Sequence, residues 1–228
     1  MFGKIFRSPV TTIVLFVIAA GLIISSSVGG TMAILNIQSD DYLAEIVLDE
    51  INVGLLERNE GETAPRQIAN NVNLFQAETD PLLTKLVPEG QSFTPGKTYM
   101  EELSVINNGA INEYVRVTVY RYWMKDGEKA VDLDPALIDL HFVTGDWIID
   151  EAASTDERTV LYYNGGPLDA NGGTSSIFTD TLTVSTQALS SKYAGAKANI
   201  ACVVDGVQNH NAGKAITSAW GHNFLGIQ

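Results

Sequence analysis

Cysteine is nearly absent from this chain of 228 residues, which has only Cys202. A single cysteine excludes an intrachain disulfide, so a folded domain of this length must be stabilised by its hydrophobic core. Hydrophobic residues make up 45% of the chain, which is enough for such a core and argues against disorder of the whole chain. Cys202 lies in the apolar run IACVV, which predicts a buried and unreactive thiol.

Basic residues are also scarce, since 14 lysines and arginines stand against 27 aspartates and glutamates, for a net charge of −13. An acidic surface repels the phosphates of nucleic acids, which proteins bind through basic patches. It disfavours adhesion to an anionic membrane surface for the same reason. We therefore expect no nucleic-acid partner, and contact with a membrane only through the N-terminal segment.

Motifs of catalysis and cofactor binding are absent as well, because the chain has no HExxH, GxSxG, P-loop or GxGxxG pattern. The three histidines, His141, His210 and His222, have no metal-ligand spacing and are expected at surface or turn positions. The acidic stretch from Asp146 to Glu157 does not follow an EF-hand pattern and indicates a solvated surface rather than a calcium site. The sequence therefore predicts a protein that is not an enzyme and that uses no metal or cofactor.

Aromatic residues are the other candidates for a binding site. Several lie in strand-like runs, where they form either a sugar-stacking platform or, as we favour, core and cross-strand packing. They are Tyr120, Tyr122, Trp123, Trp147, Tyr162 and Tyr163.

The N-terminal segment has the parts of a secretory signal. Lys4 and Arg7 precede an apolar run from Val10 to Ile24, and small residues follow that run. The alternative is an uncleaved anchor, although the run is somewhat shorter than the ~20 residues that span a bilayer comfortably. The order of these parts favours a removable signal.

The small residues mark a cleavage site. Thr31 and Ala33 stand where signal peptidases prefer small side chains, three residues and one residue before the cut. This predicts a signal peptide over residues 1–33 and a mature chain that begins at Ile34.

The remainder, from residue 45 to 228, has the pattern of an all-β domain with minor α structure. Short apolar runs with period-two alternation recur at regular spacing between turn signals, which predicts a jelly-roll-like β-sandwich. The strongest run is 114–124, in which Val115, Val117 and Val119 share one face. Strands are expected at 45–56, 98–106, 114–124, 140–143, 147–150, 159–163, 177–185 and 198–204, a helical turn after Pro135, and either a short helix or a loop from Thr63 through Phe75.

Several short motifs resemble those of a known family. The sequence GGTMA ends the predicted signal and is similar to signals cut by a SipW-type signal peptidase. Family-like turn, strand and closing motifs follow as FTPGKTY at 93–99, NNG at 107–109, YVRVTV at 114–119 and AWG at 219–221. The chain therefore resembles TasA/camelysin-type exported proteins of Gram-positive bacteria, although ILNI stands where that family usually has Tyr-Phe-Ser after the cleavage site.

The resemblance implies a jelly-roll subunit of a secreted fibre, in the extracellular biofilm matrix, on the cell surface or on spores. In fibre-forming members the freed N-terminus of one subunit inserts as a strand into the next. Here residues 34–44 would be that extension, with Ile34, Leu35 and Ile37 as the donor residues. The implied partners are copies of the chain, the signal peptidase and other matrix proteins. The alternatives are a monomeric cell-surface module that binds a glycan or a protein and, less favoured, a secreted hydrolase.

We expect N-terminal sequencing of the exported protein to find Ile34 as its first residue, because the cut after Ala33 satisfies the small-residue rule. Detection of Met1, or of a start well away from Ile34, would contradict a removable signal that ends at Ala33.

Overall fold

The structure is a computed structural model that describes residues 51–70, 82–88 and 90–227. These residues form two antiparallel sheets and one short α-helix, so the prediction of an all-β fold with minor α structure is confirmed. The predicted signal peptide with Thr31 and Ala33 lies outside the described residues. The predicted donor residues Ile34, Leu35 and Ile37 lie outside them too, and both remain predictions.

The first sheet consists of β1 (Val53–Asn59), β2 (Arg66–Asn70), β3 (Thr98–Asn107), β6 (Ile138–Phe142), β9 (Gly173–Thr174) and β10 (Thr179–Val184). Its spatial order is β2-β1-β3-β10-β6, with β9 paired to β3. Strands that are adjacent in this sheet come from distant parts of the sequence, so the chain must leave the sheet and return to it.

The second sheet consists of β4 (Glu113–Lys125), β5 (Glu128–Lys129), β7 (Trp147–Ile149), β8 (Arg158–Tyr163) and β11 (Lys197–Gln208). Its order is β11-β4-β8-β7, and β5 forms a hairpin with β4. Asp126 and Gly127 both have positive φ angles, 55° and 85°, as the two-residue turn of such a hairpin requires.

The main hydrophobic core lies between the inner faces of the two sheets. Val115, Val117 and Val119 of β4 are fully buried in it, which confirms the face predicted from their alternation. The first sheet contributes Leu55, Leu103 and other inward side chains to the same cluster. Burial of these side chains is the dominant stabilising contribution in a fold without disulfides.

A second, smaller core covers the outer face of the second sheet. The helix α1 (Ala212–Trp220) packs Ile216 and Trp220 against Tyr114 and Tyr162. The helix ends at Gly221, whose φ of 85° is the left-handed conformation common at helix C-termini. The sequence did not predict this helix, because nine residues give too short a periodic pattern. None of the helices in the described part of the chain has the length and apolar character needed to span a bilayer.

The structure corrects the prediction made for the segment that follows Thr63. The segment Arg66–Asn70, where a helix or a loop was expected, forms β2 and pairs with β1. Ile68 belongs to this strand and packs into the main core. It therefore does not lie on a helix, although its spacing from Val72 and Phe75 matched a helical face. Val72 and Phe75 lie outside the described residues. Pairing with the edge of β1 outweighed the weak local helical pattern.

Candidate functional site

The strand β11 forms one edge of the second sheet, and among the described strands it pairs only with β4. It has 12 residues, whereas the other edge strands, β2, β6 and β7, have five, five and three. An edge strand leaves a row of backbone N–H and C=O groups without a partner in the sheet. Among the described residues β11 is therefore the longest edge strand.

This edge lacks the usual protection against pairing with another chain. Proteins protect sheet edges with bulges, prolines or charged side chains. The ladder between β11 and β4 runs without a register shift, and β11 contains no proline. From Ala198 to Val204 the strand also has no charged residue. Its two charged residues lie outside that stretch: Lys197 is exposed at the start of the strand, and Asp205 forms an ion pair with Arg116 of the same sheet, with 2.8 Å between Oδ2 and Nη2.

The inward side chains of β11 belong to the main core. Ile200, Cys202 and Val204 are nearly or fully buried there, so the predicted burial of Cys202 is confirmed. A strand added beside β11 would place alternate side chains next to these three residues. The edge therefore offers an apolar surface as well as hydrogen-bonding groups.

The chain enters β1 at the end of this edge. A Cβ atom on Gly206 would lie 3.0 Å from Val53 Cγ1 and 3.1 Å from Ile51 Cγ2. The entry segment, Ile51–Val53, approaches β11 this closely because residue 206 has no side chain. This entry segment, which we call the root, thus lies next to Gly206 in the C-terminal part of β11.

Glu113, at the start of β4, lies under this root. Its side chain is fully buried, and its Oε1 atom accepts a hydrogen bond of 3.2 Å from the backbone N–H of Asn52. Its Oε2 atom makes no hydrogen bond within the described residues and lies where a Cβ atom on Gly206 would clash with it. Burial raises the pKa of Glu113, and the hydrogen bond from Asn52 opposes that rise.

A second group of buried polar residues lies at the opposite end of β1. Glu57 forms an ion pair with Arg66 and accepts a 2.7 Å hydrogen bond from the N–H of Leu83. Asn59 donates through Nδ2 to Glu101 Oε2 at 2.5 Å. Both carboxyl groups are fully buried, but Glu57 has a cation in contact, whereas Glu101 Oε1 makes no hydrogen bond within the described residues. Burial raises the pKa of Glu101 to about 8, so this carboxyl is protonated at neutral pH.

The residues considered for catalysis or metal binding do not form a site. His141 contacts Asp180 on the first sheet, and His222, which follows α1, is 3.9 Å from Asp150, which follows β7; both histidine rings are exposed. His210 is exposed too, so the predicted surface positions of the histidines are confirmed. Asp150 caps a turn by accepting from the N–H of Ala153 at 3.1 Å. Within the described ranges no group of three acidic, histidine or cysteine side chains is arranged to hold a metal ion.

The aromatic residues mostly pack inside the protein, as predicted. Trp123, Trp147 and Tyr162 are buried, and the Trp147 ring lies 5.3 Å from the ring of Phe178. Tyr162 belongs to the second core, with its ring 5.3 Å from that of Trp220. These three rings are therefore not available as a stacking surface for a sugar.

Sequence reasoning missed both the extent of β11 and the role of Gly206. The strand was predicted to end at Val204 because Asp205-Gly206 is a typical turn dipeptide, but it continues to Gln208. A glycine within a strand can instead mark a place where another backbone approaches closely. Gly206 was therefore the one signal in the sequence that could have indicated the longer strand. Nothing in the local sequence marks Glu113 as buried.

Comparison of the chain with family models, with curated proteins and with solved structures finds no match. The function therefore has to be argued from the geometry of the chain and from the short motifs in its sequence.

The buried carboxyl of Glu101 generates a prediction about pH. The folded state holds this proton up to about pH 8, whereas the unfolded state releases it near the ordinary value of 4.5. The free energy of unfolding should therefore fall as the pH rises from about 4.5 to about 8, by up to about 1.4 kcal/mol per pH unit from this group. Glu101→Gln should flatten this dependence, as measured by urea unfolding at several pH values. Glu60→Gln, at an exposed position, is the matched control and should leave the slope unchanged; an equal slope in wild type and Glu101→Gln would contradict the assignment.

Proposed function

We propose that this chain is a secreted structural subunit of a bacterial fibre, at the cell surface or in the biofilm matrix. In this proposal, residues 34–44 of one subunit add as a strand to the edge of β11 in the next subunit. The observation that carries the proposal is the length and regularity of β11, a 12-residue strand without proline or register shift that pairs only with β4 among the described strands. Such an edge is a liability in a secreted monomer, whereas a fibre subunit needs it.

Strand addition satisfies the backbone groups of the edge and also buries apolar surface. Main-chain hydrogen bonds supply affinity in this mode of recognition, and alternate side chains supply specificity. In an added strand Leu35 and Ile37 share one face because strand side chains alternate. We assign that face to the core side of β11, beside Ile200, Cys202 and Val204, and Ile34 to the outer side.

The proposed contact joins two different surfaces of the subunit, an N-terminal segment and a sheet edge. Such a heterologous contact forms an open filament when its rotation does not close into a ring. Export by the predicted signal peptide would release the donor by creating a new N-terminus at Ile34. Until that cut, the donor residues are covalently continuous with the signal.

The motifs that resemble TasA/camelysin-type proteins support the same function. The turn after Phe93 has Gly96 at a φ of 84°, so the Pro-Gly pair in that motif forms the tight turn that its sequence suggests. Trp220 of the closing motif lies beneath the guanidinium of Arg116, 5.4 Å from the centre of its ring. We assign the two-sheet domain to the jelly-roll class on this resemblance. The proposal includes no enzymatic activity and no cofactor, with copies of the chain, the signal peptidase and other matrix proteins as partners.

Site-directed cross-linking tests the proposed pairing. In a Cys202→Ala background, one sample of the mature chain carries Asn36→Cys in the donor and a second carries Val203→Cys on β11. After mixing, a short bismaleimide should link the two variants into a heterodimer, detected by mass spectrometry. The matched control places the acceptor cysteine at Asp139 of β6, which is also an edge strand but lies in the other sheet. It should give little product.

Equal cross-linking to both edges, or fibres without any link to β11, would contradict the proposed pairing. A mature chain that remains monomeric at high concentration in size-exclusion chromatography would instead favour the monomeric cell-surface binding module.

A further inference from the structure

The proposed strand addition does not explain why the buried carboxyl of Glu113 lies beneath the entry to β1. A buried carboxyl without a cation is costly, and an apolar side chain at this place would avoid that cost. Glu113 touches the two elements that strand addition uses, the root of the N-terminal segment and β11.

We propose that Glu113 is a positioning residue that fastens the root of the N-terminal segment beside β11 and releases it when the carboxyl loses its proton. Its consequence for assembly rests on the proposed function, because a released root frees the donor to reach another subunit. The fastening itself is a property of the single chain and can be measured without any fibre.

The fastening is a direct contact between Glu113 and the root. The backbone N–H of Asn52 donates to Oε1 at 3.2 Å, while the neighbouring N–H of Asn108 donates to the carbonyl oxygen of Asn52 at 2.7 Å. These two hydrogen bonds hold the residue that immediately precedes β1. Of the two hydrogen bonds, only the one to Glu113 involves a titratable group, so only this one changes when the carboxyl gains or loses a proton.

The described residues that face Glu113 carry no charge that would stabilise its ionised form. The root and β1 present Ile51, Asn52 and Val53, and β11 presents Gly206. On the remaining side the backbone of Glu113 pairs with Leu168. Among the described residues no lysine, arginine or histidine forms an ion pair with this carboxyl. The neutral carboxyl therefore fits the fastened arrangement better than the carboxylate.

The direction of the pH effect follows from this geometry. Burial raises the pKa of Glu113 in the fastened state, whereas release of the root would expose the carboxyl to water and return its pKa towards 4.5. The fastened state thus binds the proton more tightly than the released state. By linkage, acidification favours the fastened root, and a rise in pH through the shifted pKa favours the released root.

Amide hydrogen exchange of the mature chain tests the proposal. The protection factor of the Asn52 N–H, corrected for the intrinsic rate, is measured by NMR at several pH values from 4 to 8. We expect it to fall several-fold as the pH rises, while protection of the Leu55 N–H in β1 reports global unfolding and is used to correct for it. In Glu113→Gln, which keeps a side-chain oxygen but cannot lose a proton, the protection of Asn52 should be independent of pH. Glu101→Gln, which removes the other isolated buried carboxyl, is the matched control and should retain the pH dependence.

The same pH dependence in Glu113→Gln as in wild type would overturn the proposal, as would an unprotected Asn52 amide at every pH. Glu113→Ala gives a second test, since it should remove the protection of Asn52 and leave that of Leu55. The measurements use dilute, monomeric protein, so their outcome is separate from that of assembly. If fibres form but the protection of the Asn52 amide does not depend on pH, only the fastening by Glu113 is contradicted. If the protection depends on pH but no fibres form, only the proposed function is contradicted.

Discussion

Every interior backbone group of a folded chain needs a hydrogen-bond partner, and a sheet edge leaves half of one strand's groups to be satisfied by something else. In this protein the constraint applies most strongly to the edge strand β11, which pairs with β4 along its whole length on one side. The same strand contributes Ile200, Cys202 and Val204 to the main core. It therefore cannot withdraw from the sheet without loss of core packing, so β11 stays extended.

The surrounding structure keeps this edge straight. The ladder with β4 has no bulge, and the fully buried face of β4 fixes its register, because a slip by one residue would turn Val115, Val117 and Val119 out of the core. On the outer face, α1 packs against Tyr114 and Tyr162 and covers one end of the sheet. Two cores on opposite faces of the sheet thus support one long, regular strand at its edge.

The strands with strict alternation were predictable from sequence, because apolar residues at every second position, as in β4, indicate a strand with one buried face. The elements that were missed depend on contacts between distant residues. Residues 66–70 form a strand because β1 offers them an edge, and Asp205-Gly206 extends β11 because the root of β1 approaches there. Glu101 and Glu113 lie at strand positions where charge suggests exposure, but each falls on the inner face of its strand. Of the proposed pairing, the sequence motifs predicted residues 34–44 as the donor, whereas nothing in the sequence indicated β11 as the acceptor.

Cryo-electron microscopy of the purified mature chain, beside the same chain without residues 34–38, tests the central claim most directly. The account predicts fibres from the complete chain only, with density for a strand of the neighbouring subunit hydrogen-bonded along β11. Fibres from the shortened chain, or a fibre map in which the β11 edge has no strand from a neighbour, would contradict it.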